Sequence, residues 1–280
     1  MSNTRKALAF LFLTFAISLT ALAIAWQQGM REMLGNSNPP AVFQIAIFGP
    51  GIAAIICTLA FERGQRFKAL GLRLIPNLWW IGALLLPALF GAILIATNLT
   101  LDGKSLLDAD AWAAAVAAMA TSKIIGNFPN LATALLVMIV VNTLTEELGW
   151  RGYLHHLLRP SGFLAASLVP GIAQGIWHWP LVILFGLGTG NTLADMAFYP
   201  VFTAVLGIYL TLFRERGASV LAAGIFHGTY NIVASDNAGA AGYIVFAIMG
   251  LGAVAIVYGQ RRSLKNSRNI RPASASPMPE

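Results

Sequence analysis

Residues 131–151 of this 280-residue chain read LATALLVMIVVNTLTEELGWR, an apolar run that ends in two adjacent glutamates and an arginine. A helix that spans a membrane needs roughly 20 consecutive apolar residues, and this run is about that long. An ionised side chain near the centre of a bilayer costs roughly 2.5–3.5 kcal/mol on insertion scales, so such residues are rare and usually face a protein-lined site. The stretch therefore predicts a membrane helix that carries part of a buried functional site.

The composition of the whole chain is that of a membrane protein. Hydrophobic residues make up 57% of the chain and charged residues only 10%, whereas ordinary soluble domains carry about 25% charged residues. The net charge of +7 comes from basic residues in short loops and at the termini. This is the positive-inside pattern of membrane proteins, and it indicates no nucleic-acid partner. The single cysteine, Cys57, excludes an intramolecular disulfide and a cysteine cluster for a metal.

Eight apolar segments separated by charged loops predict an all-α polytopic membrane protein with about eight transmembrane helices. The segments lie at about 7–27, 41–61, 78–98, 131–150, 162–184, 196–213, 217–234 and 240–259. Successive loops alternate between basic ones and ones that are acidic or poor in charge, which predicts that both termini are cytoplasmic. We expect one membrane-embedded domain over residues 1–262, with the catalytic core at about 130–234, and a disordered basic tail over residues 263–280.

Two other apolar segments carry polar residues at helical spacing. His178 follows Gln174 by four positions, and Asn231 follows His227 by four positions. Residues four apart project from the same face of a helix. A carboxylate and an imidazole can activate water, while a second imidazole and an amide can donate hydrogen bonds to a developing oxyanion. Each histidine taken alone could instead form a hydrogen bond between helices, but their occurrence together with Glu146 favours one shared site.

The two adjacent glutamates have different local partners. Glu147 and Arg151 are four positions apart and can form an ion pair, for which a purely structural role is the main alternative. On an α-helix Glu146 points about 100° away from Glu147, so it needs a partner on another helix. The two membrane histidines, His178 and His227, are the partners that we expect.

The depths of the expected catalytic groups are difficult to reconcile. Glu146 lies about two helical turns before the basic end of its span, which begins at Arg151. His178 lies too far along the fifth segment for an unbroken helix to bring it to that depth. We therefore expect a break at Pro170-Gly171, or a later start of this span.

These residues resemble the motifs of the CAAX-protease and bacteriocin-processing family, which includes prenyl-protein endoproteases. The family pattern is Glu-Glu-x-x-x-Arg, Phe-x-x-x-His and His-x-x-x-Asn, in that order. The first and third parts are complete in this chain, at Glu146-Glu147-x-x-x-Arg151 and His227-x-x-x-Asn231. In the second part His178 is present, but Gln174 stands where the family has an aromatic residue. The motifs cover about residues 130–234.

The resemblance implies an intramembrane endopeptidase. Glu146 would be the general base that acts with His178 on the attacking water, and His227 and Asn231 would donate hydrogen bonds to the oxyanion. The ion pair of the first motif, Glu147–Arg151, would support the site. We expect no cofactor. The alternative is a zinc ion held by Glu146, His178 and His227, since three protein ligands and a water suffice for catalytic zinc.

The expected substrate is a peptide or protein with a membrane-associated segment, cleaved near the cytoplasmic face of the lipid bilayer. The sequence leaves open whether that substrate is prenylated, and it leaves the oligomeric state open. A multi-pass protein of a bacterial inner membrane is the expected location. Two other functions stay open: a non-catalytic membrane scaffold or bacteriocin-immunity-type protein of the same family, and a proton-coupled transporter. The transporter is disfavoured because the polar groups cluster in the second half of the chain, without a matching interrupted segment in the first.

Overall fold

The structure is a computed structural model that describes residues 1–29, 41–64, 66–120, 128–186, 190–233 and 239–269. All regular elements within these ranges are helices. In chain order they are α1 (Asn3–Gln27), α2 (Ala41–Ile47), α3 (Gly49–Phe61), α4 (Arg66–Leu70), α5 (Leu78–Leu101), α6 (Ala109–Ala120), α7 (Leu131–Asn142), a π-helix (Thr143–Leu154), α8 (His155–Leu158), a 3₁₀ turn (Arg159–Ser161), α9 (Phe163–Trp177), α10 (Trp179–Phe185), α11 (Thr192–Arg216), α12 (Val220–Val233) and α13 (Ala240–Asn269).

The predicted all-α polytopic membrane fold is confirmed. Six helices of the described residues are long and apolar enough to cross a membrane, and the bent pair α2–α3 makes a seventh span if it counts as one. The seventh predicted segment corresponds to α12, whose 14 residues are fewer than the roughly 20 that a span needs. The total of eight spans and the side of the termini therefore stay predictions.

The fourth predicted segment is longer than expected and is not an α-helix throughout. At Thr143 α7 passes into the π-helix, which covers 12 residues including both glutamates and the arginine of the first motif. In a π-helix the backbone bonds join residues five apart, and such helices are rare, usually a single turn, and frequent at functional sites. With α8 and the 3₁₀ turn the span continues to Ser161, so it measures 31 residues.

The broken span α2–α3 packs its backbone directly on the π-helix. The two helices meet at Phe48 with a bend of 61°, and Pro50 in the first turn of α3 has no N–H to continue the ladder from α2. Gly51 lies against the carbonyl of Leu144, where a side chain would overlap it. A Cβ atom at Gly149 would lie 2.7 Å from the Pro50 carbonyl oxygen. Glycine at these positions therefore allows the close approach of the two helices.

The two larger apolar cores of the described residues lie among different helices, and the π-helix belongs to one of them. One lies among α5, α11, α12 and α13, where Tyr209 and Phe226 stack with their ring centroids 5.7 Å apart. The other lies among α1, α3, the π-helix and α8, where Phe10 meets Trp150 edge-on at 5.8 Å. The π-helix contributes Leu148, Trp150, Tyr153 and Leu154 to the second core. It also packs against α12, which carries His227.

The fifth segment is continuous through Pro170-Gly171 and is interrupted only at the single residue His178, so that Phe163–Leu184 counts as one candidate span of 22 residues. Pro170 lies inside α9, which runs unbroken to Trp177. The next helix begins at Trp179 with Pro180 in its first turn. A proline lacks the backbone N–H and its ring clashes with the preceding turn, so Pro180 explains the interruption one position before α10. The expected break was therefore placed about two turns too early.

The last helix extends beyond the predicted boundary of the domain. α13 continues to Asn269, so the first part of the tail predicted over residues 263–280 is helical. The remainder of that tail, residues 270–280, lies outside the described residues. The Ala-rich stretch between the third and fourth predicted segments forms α6.

Candidate active site

The ion pair expected within the first motif is present and fully buried. Arg151 Nη1 donates a hydrogen bond to Glu147 Oε1 at 3.1 Å, and both side chains are 0% exposed. The same Glu147 oxygen accepts a second hydrogen bond, 2.8 Å long, from Nδ1 of His227 on α12. Each buried charge thus has an opposite charge or a polar group beside it, which is the condition for placing it away from water.

Glu146 faces α9 and has Gln174 as its partner. Its Oε2 atom accepts a hydrogen bond from Gln174 Nε2 at 2.7 Å. Gln174 Oε1 in turn accepts one from Arg151 Nη1 at 2.6 Å. No hydrogen bond of the described chain joins Glu146 to a histidine, so the direct partners expected from the sequence were wrong. The physical reason is position, because Gln174 lies one turn closer to the start of α9 than His178 does.

His178 has a defined tautomer and ring orientation. Its Nδ1 atom lies 2.8 Å from the backbone oxygen of Gln174, and since a carbonyl can only accept, Nδ1 carries a proton. The ring stacks on Tyr199 with centroids 5.4 Å apart and meets Trp177 edge-on at 4.9 Å. These contacts leave Nε2 as the ring nitrogen that can act on another molecule.

Asn231 is tied to the turn that precedes Glu146. Its Nδ2 atom donates to Asn142 Oδ1 at 2.9 Å, and Asn142 donates to the backbone oxygen of Met138 at 2.7 Å. An amide nitrogen carries two hydrogens, so one N–H of Asn231 is left for another acceptor. Asn142 and Glu146 are four positions apart and so share a face of an α-helix, but this spacing does not predict the contact of Asn142 with α12.

The hydrogen bonds join most of the predicted residues into one chain across three helices. It runs through His227, Glu147, Arg151, Gln174 and Glu146. All five side chains are buried. The remaining two predicted residues, His178 and Asn231, are half-buried and lie one turn beyond the ends of this chain, on α9–α10 and α12.

The depth of the site is consistent without a break at Pro170. Gln174 lies about three turns after the start of α9 at Phe163, and Glu146 lies about three turns before the end of α8 at Leu158. The sequence placed Glu146 only about two turns from the end of its span because it did not show that the helix continues through α8. The longer helix brings Glu146 to the level of Gln174, and His178 lies one turn further along.

The residues of the alternative zinc site do not form a ligand set in this arrangement. Among the residues that the structure describes, no group of three His, Cys, Asp or Glu side chains could hold a metal ion. His227 contacts Glu147 and not Glu146, while His178 turns its Nδ1 atom to a backbone carbonyl. These contacts instead suit three separate roles for the three side chains.

Sequence reasoning missed the part that Gln174 plays. It identified Gln174 as the one departure from the motifs and assigned it no hydrogen-bonding role. In the structure both ends of this amide are engaged with the first motif. The residue type could have indicated this role, because the side-chain amide of a buried glutamine needs both a hydrogen-bond donor and an acceptor as partners.

Comparison with known families agrees with the motifs. Residues 128–233 match a family model described as Type II CAAX prenyl endopeptidase Rce1-like. The matched range contains the six predicted site residues together with Gln174 and Asn142. The match confirms the resemblance to the CAAX-protease and bacteriocin-processing family. A search of the curated proteins gave no match.

Proposed function

Because residues 128–233 are similar to a family of membrane endopeptidases, we propose that this protein hydrolyses peptide bonds within the membrane. The observation that carries the proposal is the arrangement around Glu146, whose Oε2 atom is held by Gln174 while Oε1 has no hydrogen-bond partner among the described residues. A carboxylate with one fixed and one available oxygen is suited to accept a proton from water.

Glu146 and His178 activate the water in this proposal. The water oxygen forms a bond to the carbonyl carbon of the substrate while its proton passes to Glu146 Oε1. His178 Nε2 accepts a hydrogen bond from the same water and orients it, because Nδ1 is already engaged with Gln174. The carbonyl oxygen of the substrate becomes the oxyanion of a tetrahedral intermediate.

His227 and Asn231 stabilise that oxyanion. In this scheme Glu147 accepts the Nδ1 hydrogen of His227, and the ring carries a second proton on Nε2, from which it donates to the oxyanion. The second N–H of Asn231 supplies another donor. Loss of one preorganised donor of this kind costs about 10²–10³-fold in kcat. The intermediate then collapses, the C–N bond breaks, and Glu146 returns its proton to the leaving amine nitrogen.

The proposed substrate is a peptide or protein with a membrane-associated segment, and a C-terminal prenylated peptide is the first substrate class to test. Basic loops at the ends of α3, α8 and α11 support a site that is reached from the cytoplasmic side. We place the protein in the inner membrane of a bacterium. The hydrolysis that we propose needs no cofactor.

The test is cleavage of a prenylated CAAX-type peptide and its unprenylated twin by the purified protein in lipid nanodiscs. Wild type is compared with Glu146→Gln, which keeps the size of the side chain and removes the base. The matched control is Glu62→Gln, since Glu62 at the end of α3 pairs with Lys6 and contacts Tyr153, but none of the six predicted site residues. We expect similar cleavage by wild type and by the control, and from Glu146→Gln only a residual rate, at least about 10²-fold lower.

A chelator added to the wild type distinguishes the metal-free hydrolysis from a zinc-dependent one. Unchanged cleavage supports the metal-free reaction, and loss of cleavage that added zinc restores supports the zinc alternative. Retained activity in Glu146→Gln would contradict the role of this residue. If the folded wild type cleaves neither peptide, the result favours the alternative function of a non-catalytic membrane scaffold.

A further inference from the structure

The side chain of Gln174 has an orientation that the chemistry of its neighbours determines. Arg151 can only donate hydrogen bonds, so the atom of Gln174 that lies 2.6 Å from Arg151 Nη1 is the amide oxygen. The amide nitrogen consequently faces Glu146 and donates to it at 2.7 Å. The side chain is 1% exposed, so water does not compete for either bond.

Gln174 also holds the second group that acts on the water. Its backbone oxygen accepts the Nδ1 hydrogen of His178, which lies at the interruption between α9 and α10. One residue therefore orients the Glu146 carboxylate through its side chain and the His178 ring through its main chain. The phenylalanine that the family pattern places at this position could form neither side-chain bond.

The charges on either side of Gln174 explain what its amide, the bridge between Arg151 and Glu146, contributes to the site. Glu146 and Glu147 are adjacent in the chain and both buried, while Arg151 forms its ion pair with Glu147 alone. In a medium of low polarity, hydrogen bonds in series polarise one another. The amide of Gln174 lies between Arg151 and Glu146, so its dipole presents a positive end to the carboxylate that has no ion pair.

We propose that Gln174 is a positioning residue that fixes the Glu146 carboxylate for proton transfer and links it to the Glu147–Arg151 pair. The kinetic consequence rests on the proposed hydrolysis. Gln174 contacts no substrate atom in this scheme. It keeps Oε2 of Glu146 occupied and thereby directs Oε1 to the water.

Two substitutions of similar size separate the bonds. Gln174→Met removes both side-chain bonds. Gln174→Glu keeps an acceptor for Arg151 and replaces the amide donor by a second carboxyl group, which either repels Glu146 or shares a proton with it and so blocks it as a base. Displacing a catalytic group by a small distance costs up to about 10²-fold in rate, so we expect each variant to lower kcat about 10- to 100-fold. KM should stay within about twofold of the wild-type value, since no substrate contact is lost.

The matched control is Ser167→Ala. Ser167 is buried on the same helix, and its hydroxyl bonds only the backbone oxygen of Phe163 within that helix. We expect wild-type kcat from this variant. A wild-type kcat in Gln174→Met would overturn the proposal. The proposal would also fail if Ser167→Ala lowered kcat as much as Gln174→Met does, because the loss would then follow from removing any buried polar group of α9.

A double-mutant cycle distinguishes positioning from a general structural role. If Gln174 acts through Glu146, then Gln174→Met causes no further loss of the residual rate in a Glu146→Gln background. Losses that multiply would show that the two side chains act independently and would overturn the proposal. Thermal unfolding of each variant identifies any variant that does not fold. If Gln174→Met does not fold, the cycle is carried out with Gln174→Glu.

An infrared measurement tests the bridge without any substrate. The difference spectrum of wild type minus Glu146→Gln isolates the vibrational bands of the Glu146 carboxyl group. Loss of a hydrogen bond shifts these bands, so we expect a shift in Gln174→Met and none in Ser167→Ala. Unshifted bands in Gln174→Met overturn the proposal even if wild type is active. A shift in a protein that cleaves nothing would support the bridge and reject the hydrolysis.

Discussion

Arg151 is the side chain on which both glutamates of the site depend. Its Nη1 atom serves Glu147 and Gln174 together, while Nε and Nη2 have no hydrogen-bond partner among the described residues. Gly207 lies beside the guanidinium, where a Cβ atom would be 3.3 Å from Nη2. The guanidinium is thus enclosed, and its charge is balanced within the protein and not by water.

Replacement of Arg151 should therefore destabilise the fold as well as the site. In Arg151→Ala the Glu147 carboxylate stays buried without its ion pair, which costs about 3–5 kcal/mol of the free energy of unfolding. Denaturant unfolding in a mild detergent measures the difference. The control is Arg159→Ala, because Arg159 pairs with Glu215 while its own side chain is 47% exposed. An exposed pair contributes at most about 1 kcal/mol, so equal losses in the two variants would contradict the buried-pair argument.

The contacts that could be predicted at this scale are the local ones. The pairing of Glu147 with Arg151 follows from their spacing along one helix and is confirmed. The bond between Gln174 and Glu146 joins residues 28 positions apart, so it depends on the packing of α9 against the π-helix. No spacing rule reports such a contact, and the sequence accordingly favoured the histidines as partners.

The π-helix is the element that the sequence could not reveal. An apolar run with a polar end is compatible with α and π geometry alike, because the pattern of burial differs little over three turns. The interruption at His178 is different, since Pro180 lies in the sequence where a helix should restart. The more visible pair Pro170-Gly171 was preferred, although α9 accommodates a proline in its interior.

Glycine at the contact between α3 and the π-helix should be irreplaceable. In Gly149→Ala the new methyl group would lie 2.7 Å from the Pro50 carbonyl oxygen, and a backbone atom in a packed helix cannot move aside. Overpacking of this kind costs about 1–3 kcal/mol, so we expect a lower apparent Tm and less folded protein after gel filtration. Gly250 is the matched control, because a Cβ atom there meets nothing within 4 Å and alanine is the better helix former. A Tm unchanged in both variants would contradict the close approach.

The molecule as a whole has an orientation that its loop charges predict. The segment after α3 carries Arg63 and three more basic residues, whereas the loop after α5 carries Lys104 among several aspartates. The positive-inside rule places the first loop in the cytoplasm and the second outside. Cys57 is the only cysteine of the chain and is buried, so a Cys57→Ser background is free of thiols.

Labelling of single cysteines tests this orientation. In that background we expect Lys104→Cys to react with a membrane-impermeant maleimide on intact cells. Arg63→Cys should react only after the membrane is permeabilised. Both side chains are exposed on the surface of the protein, so only the bilayer can make the reagent reach one position and not the other. The reverse pattern would contradict cytoplasmic termini.

The number of spans shows why a count from hydropathy alone is incomplete. The sequence treats residues 217–234 as a full span, but α12 has only 14 residues. Most of its side chains are buried against α5, α7 and α11. A helix enclosed by others does not need to match the thickness of the bilayer, because its backbone ends can be satisfied within the protein. Hydropathy records burial, and it does not distinguish burial in lipid from burial in protein.

The glycine contacts of the π-helix have a consequence for how a substrate can arrive. Gly51 and Gly149 join α3 to the π-helix through main-chain atoms, and Gly152 does the same with the end of α4. At these glycines the helices approach through main-chain atoms, which cannot rotate aside to open a passage, so a peptide does not enter there. The half-buried residues of the site, His178 and Asn231, lie on other elements, α9–α10 and α12. A substrate therefore reaches Glu146 from a side other than this contact, which forms a fixed wall of the site.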